Sequence, residues 1–202
     1  MTRLLLLDHE DSFTANLRAS LVCCGVDVEV LRVPRLSSGC SMSAEHAAQN
    51  FQGIVFSPGP GHPEEYPASA AFFAALPPTL PVLGVCLGLQ IVFLSQGFDV
   101  APIGRIPVHG RREPVDFHVG SHACQGEVVL FNSLGVIAAQ KNIAQEYQVV
   151  VGADGRLLVA SHRVRPLLLC QFHPESFAST AGVPLVRAFV GQCDSPNPLG
   201  LC

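Results

Sequence analysis

Two short stretches hold residue types that could do nucleophilic chemistry. In Gly84-Val85-Cys86-Leu87-Gly88 one cysteine stands between glycines, directly after the apolar run PVL and before Gln90, Ile91 and Leu94 at helix spacing. Gly-x-Cys-x-Gly at a strand-to-helix turn has the form of a nucleophile elbow, in which small neighbours leave room for a strained residue held at a strand tip. A cysteine there sits at a helix N-terminus, whose dipole and free amides favour a thiolate. The same residue could equally be a small, inert core side chain, so the reading needs a base. QFHPES at 171–176 supplies one. Pro174 biases His173 towards extended backbone, and strand alternation then projects His173 and Glu175 to the same side. A carboxylate beside an imidazole fixes its tautomer and stabilises the imidazolium, as a Cys-His-Glu relay requires. A third stretch, SPGPG at 57–61, combines stiff prolines with glycines whose backbone N–H groups can face an oxyanion, although it also reads as an ordinary tight turn.

These residues need elements to position them. LLLL at 4–7 reads as a buried strand, followed by Phe13, Leu17, Leu21 and Cys24 at helix spacing with Asp11 or Ser12 as N-cap. VDVEVL at 26–31, FQGIVFS at 51–57 and PVLGV at 81–85 continue the strands, and a helix is predicted from about Ala68 to Leu76. GEVVLF, EYQVVV, RLLVAS and LLLCQF are closely spaced strand candidates in the second half, before a last helix over Val183–Val190. The pattern predicts an α/β fold: an open, mostly parallel mixed sheet flanked by helices, with an additional antiparallel strand region in the second half. In such sheets ligands gather at the carboxyl ends of the parallel strands, where both glycine-rich turns fall.

The 202 residues fit one domain, read as 1–192 with a loose C-terminal tail over 193–202. A net charge of −4, with scattered Lys and Arg, offers no basic footprint for nucleic acid. Charged residues make up 14% of the chain, against a usual share of about 25%, which favours a face covered by a partner. No charge occurs between Tyr66 and Phe98, but PPTLP at 77–81 breaks the stretch below a membrane span. The eight cysteines lack disulfide or CxxC spacing and, with no leader-like start, point to a reducing cytoplasm.

Over nearly its whole length the chain resembles the class I, triad-type glutamine amidotransferases, through LLLLDHEDSFTANL, GIVFSPGPGHP, PVLGVCLGLQ and CQFHPESF. The DSFT segment followed by Asn16 and Leu17 is similar to the branch that contains the small subunits of anthranilate synthase and aminodeoxychorismate synthase. The resemblance implies that Cys86 is the nucleophile, His173 the general base and acid, and Glu175 its orienting partner. It implies further that Gly59, Pro60 and Gly61 form a glutamine-binding turn, that the amides of Gly59 and Leu87 make an oxyanion hole, and that Gln90, Ser133 and Leu134 hold substrate. The implied substrate is L-glutamine and the implied partner a chorismate-binding large synthase subunit, with no cofactor and no metal. Leu89 and Asn132 stand where the family often carries His, Arg111 where Lys is common, and His9-Glu10 and Ala15 replace residues at an expected docking edge.

Two alternatives stay open at this level: a catalytically silent docking subunit, and a free-standing γ-glutamyl hydrolase. Labelling of Cys86 by a reactive glutamine analogue speaks against the first, and brisk turnover without a partner favours the second. His118, His122 and Cys124 lack a fourth ligand at metal-site spacing, His46, His62 and His162 read as structural, and SPGPG has no following Lys-Ser/Thr for a phosphate loop.

Overall fold

The computed structural model describes residues 1–102 and 108–194. Leu4–Leu7 forms the middle of strand β1 (Arg3–Asp8), followed by helix α1 (Thr14–Val22), β2 (Asp27–Arg32), α2 (Ala44–Asn50) and β3 (Gly53–Phe56). Helix α3 (Pro67–Ala75), β4 (Val82–Val85) and α4 (Leu87–Ser95) complete the first half. Then come β5 (Val100–Pro102), β6 (Val108–Val119), β7 (His122–Asn132), β8 (Leu134–Val136), α5 (Ile143–Glu146), β9 (Tyr147–Val151), β10 (Leu157–His162), β11 (Leu167–Cys170) and α6 (Gly182–Asp194).

Seven strands form one sheet in the order β2-β1-β3-β4-β11-β10-β9. The contacts from β2 to β11 are parallel, and β10 runs antiparallel to both β11 and β9. This is the mixed sheet expected from the sequence, and its central strands are apolar on both sides because helices cover both faces. Alternation divides the leucines of β1 between two cores. Leu4 and Leu6 pack with Leu17 and Leu21 of α1 and with Leu185 and Phe189 of α6. Leu5 and Leu7 pack with Ala47 of α2, Phe72 of α3 and Phe93 of α4.

The second half is more elaborate than four strands. GEVVLF lies inside β7, which pairs with β6 in a long hairpin whose Val115, Phe117, Val128 and Leu130 close over the first core. Strand β6 went unread because Pro114 interrupts it; a two-stranded ribbon tolerates proline, since its outer edge needs no donor. β5 and β8 pair antiparallel beside it, and among the described residues no helix is long and apolar enough to cross a membrane.

Two boundaries are corrected. The cap of α1 is Phe13, without a side-chain bond; Asp11 instead accepts the Phe13 N–H at 2.7 Å on its carboxylate and the Thr14 N–H on its carbonyl. One extra turn thus precedes the helix. The last helix continues past Val190 to Asp194, with Cys193 buried close to Gly53, so Cys193 and Asp194 belong to the fold. The rest of the expected tail, 195–202, lies outside the described residues.

Candidate active site

Strand β4 delivers Cys86 to the carboxyl edge of the sheet, and α4 begins at the next residue. The Cys86 N–H donates to the Cys170 carbonyl of β11 at 2.8 Å, while its own carbonyl accepts the Gln90 N–H in the first helical turn. Held by both, Cys86 takes φ 53°, ψ −103°, a left-handed conformation that costs a side-chain-bearing residue about 1–3 kcal/mol. Gly88 makes the elbow possible: a Cβ there would overlap the Phe56 carbonyl oxygen. The sulfur is not held outward in solvent; Cys86 is only 6% exposed.

β11 runs parallel to β4 and brings QFHPES alongside. The His173 N–H donates to the Val129 carbonyl at 3.1 Å, and His173 Nδ1 lies 2.7 Å from Glu175 Oε1. A carboxylate only accepts, so Nδ1 carries a proton and Nε2 is the nitrogen left for Cys86. Burial disfavours the charge on His173, but the hydrogen bonds to Cys86 and Glu175, with their negative charges, outweigh it and push its pKa up to about 10. Phe13 and Phe131 fence the ring, with centroids 5.4 and 5.5 Å away, and also stack on each other.

Beside the sulfur is a cavity of about 260 Å³. Gly59, Pro60, Gly61, Leu87, Gln90, Ser133 and Leu134, the residues singled out for substrate, all line it together with Cys86. His173 and Glu175 are not among its lining residues and reach it through the sulfur. Asp11, Phe131 and Asn132 line it too, although none of them was read as a substrate contact. Leu87 opens α4, so its N–H has no helical acceptor, and Gly59 is held against it: a Cβ on Gly59 would overlap Leu87 Cδ2 and come within 2.7 Å of His9 Cβ.

His9 was expected at a docking edge; it is instead fully buried beneath this turn. Its backbone N–H donates to Ser57 Oγ at 2.9 Å, Nδ1 faces the Ser57 carbonyl at 3.1 Å, and Nε2 faces Ser69 Oγ at 2.9 Å. A carbonyl only accepts, so Nδ1 carries the proton and Ser69 donates to Nε2. Burial drives the His9 pKa down to about 4, and the Ser57 bond and Asp8 offset this only in part. The Tyr66 hydroxyl, with its pKa pushed by burial up to about 12, donates to the Pro60 carbonyl at 2.9 Å. The glycine turn is thereby braced by neutral side chains that the sequence reading missed.

A line of amides runs from the cavity to the Cys86 sulfur. Gln90 Nε2 donates to the Leu134 carbonyl at 3.0 Å and to Gln171 Oε1 at 3.2 Å, and Gln171 Nε2 donates to Cys86 Sγ at 3.5 Å. Asn132 Nδ2 donates to the same Leu134 carbonyl at 2.8 Å. Of the departures from the family pattern, Leu89 is fully buried in the second core and touches no outer face, and Ala15 is exposed. Arg111 pairs with Glu113 and, at 3.0 Å, with Asp154; the His109 side chain lies outside the described residues. Among the described residues no group of three or more His, Cys, Asp or Glu is placed to hold a metal; Cys124 is buried while His118 and His122 are exposed.

Residues 5–193 match the family described as Glutamine amidotransferase class-I. The chain is 34% identical over 196 residues to the pyocyanine-specific anthranilate synthase component 2 of Pseudomonas aeruginosa, covering 95% of this chain and 94% of that protein. It is 37% identical over 204 residues to an aminodeoxychorismate synthase of Streptomyces griseus, covering 93% of this chain but only 25% of that longer protein. A solved structure described as a GMP synthase subunit of Thermoplasma acidophilum superposes with a TM-score of 0.78 at 20% identity, over 96% of this chain and 94% of that one, a likeness of fold. With the matched family spanning both glycine turns and the His173 segment, the chain belongs to the class-I glutamine amidotransferases.

Proposed function

We propose that the chain hydrolyses L-glutamine to glutamate and ammonia through Cys86, His173 and Glu175, and passes the ammonia to a chorismate-binding large synthase subunit. The observation that carries this reading is His173 paired with the Glu175 carboxylate at 2.7 Å and neighbouring Cys86, which itself lines the cavity.

Glutamine enters with its carboxamide over Cys86 and its α-substituents towards Ser133, Leu134 and Gln90. The thiolate attacks the carboxamide carbon, forming the S–C bond, and the amides of Gly59 and Leu87 take the oxyanion. Protonated His173 gives its Nε2 proton to the nitrogen as the C–N bond breaks and ammonia leaves. Water then attacks the glutamyl thioester, His173 takes its proton, and glutamate departs with the thiolate restored. Glu175 stays ionised throughout and stabilises each imidazolium.

Ammonia is nucleophilic only while unprotonated, so a second active site must receive it before it equilibrates with water. The names of the relatives in Pseudomonas aeruginosa and Streptomyces griseus support a chorismate-aminating partner, and the low charge density supports a covered face. The cytoplasm is the compartment proposed for this chain, on the cysteines that stay unpaired among the described residues. The test is glutamate release by the chain mixed with chorismate and a large synthase subunit: it should vanish in Cys86→Ser, and undiminished release there refutes the assignment.

A further inference from the structure

We propose that Gln171 is a positioning residue that holds the Cys86 sulfur in its nucleophilic form, through a one-way relay of amides anchored on the Leu134 carbonyl. This rests on the reading of Cys86 as the nucleophile and gives its sulfur a donor that is separate from His173.

The direction of the relay follows from its fixed end. A backbone carbonyl can only accept, so the group of Gln90 that faces Leu134 O at 3.0 Å is its NH2. The same nitrogen faces the Gln171 side chain at 3.2 Å, which therefore turns its oxygen to Gln90. The other end of Gln171, its NH2, is then obliged to face Cys86 Sγ, at 3.5 Å. Flipping either amide would set oxygen against oxygen or nitrogen against nitrogen in a buried place, since Gln171 is 0% and Gln90 3% exposed. An N–H aimed permanently at sulfur favours the anion over the neutral thiol. Unlike His173, this donor does not titrate and does not leave with its proton during the reaction. It remains on the sulfur when the imidazole has protonated the departing ammonia, and when the thiolate must be re-formed from the thioester.

Gln171 is bonded at both ends of its side-chain amide within this relay. Its backbone N–H is already taken by the Leu158 carbonyl at 2.9 Å, and a polar side chain in an apolar surrounding is costly unless bonded at both ends. The titratable groups facing the sulfur are His173 with Glu175 behind it, Cys170 on β11, whose thiol burial pushes well up, and Asp11 on the cavity lining.

The experiment follows alkylation by iodoacetamide on the full chain, with the Cys86 peptide quantified by mass spectrometry between about pH 5 and pH 9, a range over which thiolate fraction sets the rate. Gln171→Met keeps the volume and removes the donor. It should slow Cys86 alkylation about tenfold at neutral pH, the effect of one hydrogen bond to a charged group, and move the rate profile towards higher pH. Gln171→Glu turns an acceptor to the sulfur and should slow it further. A folded Gln171→Met with the wild-type rate and profile overturns the proposal, and should that variant not fold, a wild-type profile in Gln171→Glu overturns it equally. If wild-type Cys86 reacts no faster than exposed Cys23, the nucleophile reading itself falls and this inference with it.

Discussion

Replacing Gly59 by alanine separates the glycine turn from the triad. The added Cβ meets three groups: Leu87 Cδ2, His9 Cβ at 2.7 Å and the His9 carbonyl at 3.0 Å. The leucine methyl can swing aside. His9 cannot, because bonds to Ser57 and Ser69 hold its backbone and both ring nitrogens. Ordinary contact begins near 3.4 Å, so the turn must retreat from His9 by about 0.7 Å, carrying the Gly59 amide away from the place proposed for it beside the oxyanion. Overpacking of this kind costs about 1–3 kcal/mol of stability, whereas loss of an oxyanion donor costs ~3 kcal/mol in the transition state, or roughly 100-fold in kcat. The assay is glutamate release by the complex with chorismate and the large subunit, run beside iodoacetamide alkylation of Cys86. Alkylation is a displacement at saturated carbon and needs no oxyanion hole. We expect kcat to fall about 100-fold while alkylation stays within about twofold, since the thiolate is set by its own neighbours. A kcat close to wild type, or an alkylation rate that falls in step with kcat, refutes the assignment of this turn.

Glu175→Gln removes a buried negative charge 2.7 Å from His173 Nδ1; kcat should drop about 10- to 100-fold, with KM for glutamine little changed because Glu175 is not on the cavity lining, and a loss confined to KM would contradict its role. His9 is held neutral with its pKa down near 4; its contribution is complete above the ordinary value of 6.5 and is lost as pH falls from there towards 4, roughly 3 kcal/mol in all. Urea unfolding of wild type and His9→Gln across that window should show the wild type losing more stability, and parallel curves count against a buried neutral His9. Glu113→Ala leaves the fully buried Arg156 short of one carboxylate, with Asp154 at 2.7 Å as its remaining ion pair; a loss of about 3 kcal/mol is expected in chemical unfolding, and one below the scatter of ordinary surface mutations rules the buried pair out as an anchor of the β6–β7 hairpin.

The legibility of each part tracks how local its determinants are. Strands β1 and β4 announce themselves through unbroken apolar runs, and the elbow through two glycines that flank Cys86 within five residues. His173 and Glu175 could be paired on paper by their spacing and side-chain types, although the strand ends at Cys170 and it is a turn, closed by the Ser176 N–H on the His173 carbonyl at 3.2 Å, that sets them together rather than strand alternation. The residues that were missed depend on partners far along the chain: His9 on Ser57 and Ser69, 48 and 60 positions away, and Gln171 on Gln90 and Cys86, 81 and 85 positions away. Nothing in DHEDS tells a buried histidine from an exposed one, because the difference is made by which turn lands on top of it. Arg156 is a sharper case. A fully buried arginine violates every expectation from composition, and becomes intelligible only once Glu113 and Asp154 are seen to close on it. Strand β6 shows the converse, a local signal present in Val115, Phe117 and Val119 but masked by Pro114, which only an unpaired outer edge can accommodate.

The two buried histidines of the site show how one side chain is given two uses by its surroundings. Both are almost wholly removed from solvent, so desolvation presses each towards the neutral form. Around His9 the bonding partners are a carbonyl and two hydroxyls; Asp8 pulls weakly the other way, and desolvation prevails. Around His173 the partners are a carboxylate and the Cys86 sulfur, which favour the imidazolium more strongly than burial opposes it. At neutral pH the ring beneath the turn is therefore an uncharged strut. The ring beside Cys86 favours the charged form, and under the proposed mechanism it would carry the proton that ammonia needs. Exchanging the surroundings would undo both: a charged His9 would sit buried with no strong counter-ion, and a neutral His173 would lack the proton that the proposed mechanism asks of it.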